Sequence, residues 1–326
     1  MDFISVDSMP WLQNAQDRLR AAQRAERLPH SLLLQAAPGL GAEDLVNWIT
    51  ALVLCESADR RPCGECKSCR LLRADSHPDA HRLRLEEDAR QIKVDQVRGL
   101  IDSLALTSYR GGYKVGVIEG AELLNASGAN AFLKTLEEPT ADTVLILLTR
   151  PNHRLPATIT SRCSRINVRP PSTETALAWL RTHASSQAGL AALALAGGAP
   201  LLAAELESAG ISTLDRDMEA DLGSLTAGSV DVTLLAEQWM NSNPGLRITW
   251  LENWITRRVR AALGGATFRQ SAEPVCLPAT LLKPKIRALF ELLDAARELR
   301  RLASTGMNQQ LALEAFLLGG RTALAK

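Results

Sequence analysis

The segment Leu32-Leu33-Leu34-Gln35-Ala36-Ala37-Pro38-Gly39-Leu40-Gly41-Ala42-Glu43-Asp44 constrains this chain more than any other. An apolar run, a Pro-Gly-x-Gly turn and a helix start follow one another without a gap, which is the layout of a strand, a tight loop and a helix in an open α/β sheet. The first half of the chain continues that pattern. Short apolar runs at 31–35, 80–85, 114–118, 144–149 and 165–168 alternate with helical stretches at 42–56, 94–106 and 121–137 and a short turn at 157–162. Helices on both faces of the sheet are expected, and Pro170-Pro171 closes the unit because paired prolines continue neither helix nor strand.

The second half carries a helical period. Residues 172–206 predict two or three short helices around Gly197-Gly198-Ala199-Pro200, a piece of lid size. From 211 onward the pattern is helical to the end, with a tryptophan-bearing stretch at 234–262 and a final helix at 308–318. We therefore expect an α/β domain at 1–170 with a cysteine module inserted at 55–69, a small helical lid domain at 171–210, and an all-α C-terminal bundle at 211–326. With 326 residues, 46% of them hydrophobic and only 4% aromatic, the chain has the apolar content for two or three cores built mostly by helix on helix.

A net charge of +1 excludes a nucleic-acid role read from bulk electrostatics, so any DNA contact is local. No run approaches the ~20 apolar residues of a membrane span, and residues 1–23 hold no apolar leader core. A soluble, cytoplasmic protein without a membrane partner is the expectation.

The loop at 36–43 has the layout of a Walker A phosphate cradle without its chemistry. That motif ends in Gly-Lys-Ser/Thr, the lysine neutralising the β and γ phosphates and the hydroxyl holding Mg²⁺. Here Gly39 and Gly41 remain, but Ala36 stands at the first glycine, and Ala42 and Glu43 stand at the lysine and the hydroxyl. Glu43 and Asp44 bring carboxylates toward the phosphate position, where each like-charge pair at ~4 Å and a dielectric of ~20 costs about 4 kcal/mol. Read alone, the segment is equally a strand-to-helix turn with an acidic helix start. A second run, Lys114-Val115-Gly116-Val117-Ile118-Glu119-Gly120, resembles a Walker B strand, yet the place of the water-activating acid is Gly120. Glu119 is left either as a cation ligand or as a solvated strand-end carboxylate.

Four of the six cysteines, Cys55, Cys63, Cys66 and Cys69, fall within fifteen residues, while Cys163 and Cys276 stand apart. Four thiolates so placed fit a tetrahedral Zn²⁺ with no open position, a structural site. Free thiols, a partly oxidised pair and an iron-sulfur cluster are the alternatives. His77, next to a proline, reads as a loop or strand-start residue and not as a fifth ligand.

Further along, a helix ending Leu133-Lys134-Thr135-Leu136-Glu137-Glu138-Pro139 precedes a strand and then Ser161-Arg162-Cys163. This order, with the altered Walker motifs and the cysteine cluster, resembles the clamp-loader branch of the AAA+ ATPases over roughly residues 20–170, and within it the non-hydrolysing subunits of bacterial DNA polymerase III. The resemblance implies an AAA+ P-loop-type parallel sheet, a collar-forming C-terminal bundle for hetero-oligomerisation, and structural zinc on the four cysteines. It implies no ATP bound or hydrolysed by this chain, although the chain would serve a DNA-directed DNA polymerase holoenzyme. Arg162 matches an arginine finger that reaches in trans to the γ-phosphate held by a neighbour, with Ser161 and Cys163 as its motif companions. Implied partners are the gamma/tau ATPase subunits, the delta subunit, the beta sliding clamp and primed DNA.

Without the resemblance, Arg162 reads as an ordinary exposed or salt-bridged arginine, Cys163 as a small buried hydrophobe and Ser161 as a turn residue. Trp179, Trp239, Trp250 and Trp254 read as core, and the clusters Arg257-Arg258-Arg260 and Arg297-Arg300-Arg301 as solvated faces or subunit contacts. The stretch 198–202 carries no arginine for a lid contact to nucleotide. Two other functions are kept open: a self-sufficient ATPase in which Glu43 and Glu119 share the metal, and a zinc-dependent nucleic-acid binder.

Overall fold

Leu32, Leu33 and Leu34 are at most 1% exposed, because β1 (Ser31–Ala36) runs inside a five-stranded sheet and needs apolar side chains on both faces. The chain was analysed as a computed structural model, which describes residues 5–86, 89–151, 155–184, 189–263, 286–303 and 309–324. The other strands are β2 (Ala80–Leu83), β3 (Lys114–Glu119), β4 (Thr143–Thr149) and β5 (Ser164–Val168), in the order β2-β3-β4-β1-β5. Every pairing is parallel. All five expected strands are present, with ends shifted by one or two residues.

The helices of the first half are α1 (Gln13–Arg24), α2 (Ala42–Leu54), α3 (Lys67–Arg73), α4 (Val94–Ala105), α5 (Ala126–Glu137) and α6 (Ala157–Thr160). Helix α2 is buried along most of its length from Leu45 to Leu54. Val97, Leu100 and Leu104 of α4 and Phe132 and Leu136 of α5 join Ile118, Leu145 and Leu147 of the sheet in one core cluster.

The single helix expected over 121–137 is broken in two. A 3₁₀ turn covers Ala121–Leu123, and α5 begins only after Asn125. Ile92 causes the break: its N–H donates to the Leu123 carbonyl at 2.8 Å, and its carbonyl accepts from Asn125 N at 3.1 Å. The Asn125 side chain then caps α5, its Oδ1 accepting from Gly128 N at 2.7 Å. Two helices had no counterpart in the sequence reading. Helix α1 is mostly polar and buries only Gln16 and Leu19, and the seven residues of α3 begin inside the cysteine module.

Later come α7 (Thr173–His183), α8 (Leu190–Leu195), α9 (Pro200–Ser208), α10 (Ile211–Ala227), α11 (Val232–Asn241), α12 (Pro244–Leu263), α13 (Ile286–Ala303) and α14 (Gln309–Leu324). The tryptophan-bearing stretch is two helices, parted where Asn243 takes a φ of 51° and Pro244 starts a new one. The last helix runs on to Leu324; Asn308 and Cys276 lie outside the described residues. By contacts the chain divides into one unit of residues 1–179 with 199–202, and another of 180–198 with 203–326.

Within the second unit Trp239, Trp250 and Trp254 are core residues at 1%, 0% and 4% exposure. Their polar edges are satisfied: Trp239 Nε1 donates to Asp221 Oδ2 at 2.7 Å and Trp250 Nε1 to Asp215 Oδ1 at 2.5 Å. Trp179, in the first unit, is also buried and donates to Ser8 O at 2.7 Å. Arg258 departs from the solvated-face reading. It is buried, with its guanidinium carbon 3.7 Å from the Trp254 ring centroid, a cation-π stack that only a planar, weakly hydrated cation makes so closely. Arg297 and Arg300 do lie on an exposed face, paired to Glu252, and Arg301 pairs with Glu298. No helix among the described residues is long and apolar enough to cross a membrane.

Replacing the α5 cap by Asn125→Ala should lower stability by about 1 kcal/mol, read as an earlier midpoint in urea unfolding followed by circular dichroism. An unchanged midpoint would show that the Ile92 bonds alone set the helix start.

Candidate functional site

The loop after β1 is held by hydrophobic neighbours of its own chain. Gly39 and Gly41 take φ values of 77° and 74°, in the left-handed region that favours glycine. A Cβ on Gly39 would stand 2.3 Å from Leu202 Cβ and 2.6 Å from Leu202 N; one on Gly41 would stand 2.5 Å from Met9 Sδ. Both glycines thus allow packing by Leu202 and by the 3₁₀ segments Ser5–Ser8 and Pro10–Leu12. The loop carbonyls are satisfied from the same neighbours. Leu201 N donates to Gly39 O at 3.1 Å, and Trp11 Nε1 donates to Leu40 O at 2.9 Å. Ala36 ends β1, Ala42 opens α2, and Glu43 in its first turn is exposed.

The carboxylate at the end of β3 is not solvated as expected. Glu119 is gripped by Arg82 Nη1 at 2.6 Å and by Arg84 Nε and Nη2 at 2.8 and 3.2 Å, with its side chain 17% exposed. Arg82 also reaches α2, donating from Nη2 to Asn47 Oδ1 at 2.7 Å. A permanent guanidinium therefore joins the strand-end carboxylate to the helix that follows the glycine loop. The hydrogen bond to Glu119 pushes Arg84 above the ordinary arginine range despite its partial burial. Gly120 has a φ of 75°, and a Cβ there would meet Leu123 Cδ1 at 3.0 Å, so any residue with a side chain would be strained at this turn. Arg82, Arg84 and Asn47 went unnoticed in the sequence; their only signal was arginine at 82 and 84 flanking an apolar strand end.

Arg162 follows α6 at the carboxyl end of the β4 connection. Its Nε and Nη2 donate to Glu137 Oε1, the former at 2.6 Å, and its Nη1 donates to Thr158 O at 2.8 Å. Ser161 Oγ donates to Thr158 O at 3.3 Å. Cys163 packs against the α4–α5 core, and burial pushes its thiol up to about 11 although Arg165 pulls the other way. At neutral pH it is an inert small hydrophobe.

The four clustered cysteines converge. Their sulfurs all lie within 4.8 Å of one another, with Cys55–Cys66 at 4.0 Å and Cys63–Cys69 at 3.9 Å. A tetrahedron with metal–sulfur bonds of ~2.3 Å has edges of ~3.8 Å, so the donor set fits one metal ion with no place for water. Backbone N–H groups of Glu65 and Cys66 point at Cys63 Sγ at 3.5 and 3.3 Å, and Cys69 N points at Cys66 Sγ at 3.4 Å. Desolvation raises the Cys63 thiol, but these N–H bonds and the bonds to the Cys55 and Cys66 sulfurs outweigh it and bring it to about 7. Burial raises Cys55 and Cys69 instead.

A buried polar frame supports this module. His77 Nδ1 accepts from Asp79 N at 3.1 Å, which leaves Nε2 to donate to Ser68 Oγ at 2.7 Å, one residue from Cys69. Burial keeps this imidazole below its ordinary pKa, helped by Arg110 and opposed by Asp79. The Asp79 carboxylate accepts from Tyr109 N and Arg110 N at 2.7 and 3.1 Å, and Arg110 Nε donates to Glu56 at 2.8 Å, beside Cys55.

Placing a lysine and a hydroxyl after the glycine loop by the double substitution A42K/E43T should leave the chain without measurable Mg-ATP affinity, because Glu119, the carboxylate at the end of β3, is already held by Arg82 and Arg84. Titration with a fluorescent ATP analogue reads this; micromolar binding by the double variant would contradict it.

A family profile described as DNA polymerase III, delta subunit, matches residues 11–172. A DNA polymerase III subunit delta' of Pseudomonas aeruginosa is 34% identical over 96% of this chain and 97% of its own length. The subunit delta' of Escherichia coli is 33% identical over 95% of this chain and 94% of its own length. A DNA polymerase III subunit tau of Salmonella typhimurium is 31% identical over 44% of this chain and 22% of its own length. Since the first two alignments run through both units, the chain belongs to the DNA polymerase III delta' subunit family.

Proposed function

We propose that this chain is a non-hydrolysing subunit of the DNA polymerase III clamp loader, helping to place the sliding clamp on primed DNA during replication. The observation that carries the proposal is the pairing of a partly exposed Arg162 in the turn before β5 with a glycine loop that carries Ala42 and Glu43 where a phosphate cradle has lysine and hydroxyl. Leu202 and Met9 pack on the loop glycines, Leu201 and Trp11 bond its carbonyls, and the Arg162 side chain is 34% exposed. A chain so arranged lacks its own ATPase chemistry but still has a cation to offer a neighbour. Arg162 is the trans arginine finger in this reading, with Ser161 and Cys163 fixing its turn. The finger suits the task because guanidinium stays charged and grips phosphate oxygens through two donors.

The partners in this reading are the gamma/tau ATPase subunits, the delta subunit, the beta clamp and, through the complex, primed DNA, all in the cytoplasm. The sheet domain at 1–170 offers the finger, the segment at 171–210 is the lid, and the helices at 211–326 form the collar. The similarity to a DNA polymerase III subunit tau supports a place in the same complex.

The metal is structural zinc on Cys55, Cys63, Cys66 and Cys69, in which role it ties the end of α2 to α3 and carries no reaction step. Atomic emission on the purified protein should find about one zinc per chain, lost in Cys66→Ser together with part of the thermal stability. Iron, or no metal at all, would overturn the zinc assignment.

The finger is tested in the reconstituted assembly. Arg162→Ala should slow hydrolysis at the adjoining nucleotide on the order of 10³-fold, so steady-state ATP turnover falls by the share of that site and clamp loading slows. Unchanged turnover and loading would remove the finger role.

A further inference from the structure

The Arg162 guanidinium is already engaged within its own chain. Nε and Nη2 share one carboxylate oxygen of Glu137, the last residue of α5, while Nη1 donates to the Thr158 carbonyl at 2.8 Å and lies 3.4 Å from Ser161 Oγ. The two groups of bonds hold opposite edges of the planar fork. A phosphate cannot take two donors along the Nε–Nη2 edge while Glu137 keeps it, whereas the Nη1 bonds to Thr158 and Ser161 can persist. Both partners are partly exposed, Arg162 at 34% and Glu137 at 49%. Pairs so exposed are weak, so a multiply charged phosphate displaces the carboxylate.

We propose that Glu137 is a positioning residue that parks the Arg162 guanidinium and is exchanged for a phosphate of the nucleotide on the adjoining subunit. The inference rests on the finger reading of Arg162. Glu137 therefore competes with nucleotide, and the finger meets its target only when a nucleotide stands within reach. Because the competition acts on the ground state and the transition state alike, it weakens apparent ATP binding and leaves the chemical step alone.

The test is a double-mutant cycle in the full reconstituted assembly, with Glu137→Gln, Glu137→Asp, Arg162→Ala and the Glu137→Gln/Arg162→Ala double variant, reading KM for ATP and kcat separately. Glu137→Gln keeps the size and one acceptor but drops the charge. It should lower KM by about two- to fivefold, the range set by a partly exposed ion pair, with kcat changed less than twofold. Glu137→Asp, which keeps the charge, should stay nearer the parent KM. In the Arg162→Ala background Glu137→Gln should have no effect. A fall in kcat at constant KM, or an effect of Glu137→Gln that persists without Arg162, overturns the parking role while leaving the finger in place. If Arg162→Ala alone changes nothing, the finger reading fails first and takes this inference with it.

Discussion

The carbonyl groups of Gly39 and Leu40 stand in the tight loop just beyond the largely buried strand β1 and call for donors. Burying an unpaired backbone oxygen costs about as much as a good hydrogen bond contributes. Leu201 N and Trp11 Nε1 supply those donors. The N-terminal 3₁₀ segments and the start of α9 are thereby fixed on the loop. Because Trp11 in turn packs edge-on against Trp179, with ring centroids 5.4 Å apart, the segment Pro10–Leu12 and Trp179 share the same contact set.

Charge follows the same logic as backbone polarity. A carboxylate at the end of β3 needs a cation, and Glu119 has two from β2, one of which continues to Asn47 on α2. The result is a counter-ion that belongs to the polypeptide itself. The cysteine module lies at the far end of the same helix, since Cys55 follows Leu54 directly. Helix α2 is therefore held at both ends, through Gly41 and Asn47 near its start and through Cys55 at its finish.

The sheet and the cysteine cluster were legible because each is written in local spacing: a hydrophobic period, or four like side chains within one turn-rich stretch. What escaped depends on partners distant in sequence. The break at Asn125 is made by Ile92, and nothing near residues 121–125 announces it. Arg258 lay in an arginine-rich helix that looked solvated, and only the packing of Trp254 reveals its burial. Arg82 and Glu119 are 37 residues apart and meet only because β2 and β3 are neighbours. Glu137 was visible as part of a motif, yet its relation to Arg162 requires the turn of α6 to bring position 162 back to the end of α5.

The Arg82 contact has a consequence for how the subunit behaves in a living cell. Magnesium and adenine nucleotides fluctuate with metabolic state, and a domain whose shape is completed by them changes shape with their supply. Here the bridging cation is part of the polypeptide, so it can be neither chelated nor exchanged at any turnover. The cation beside Glu119 is therefore supplied with every copy of the chain, whatever the supply of free ions.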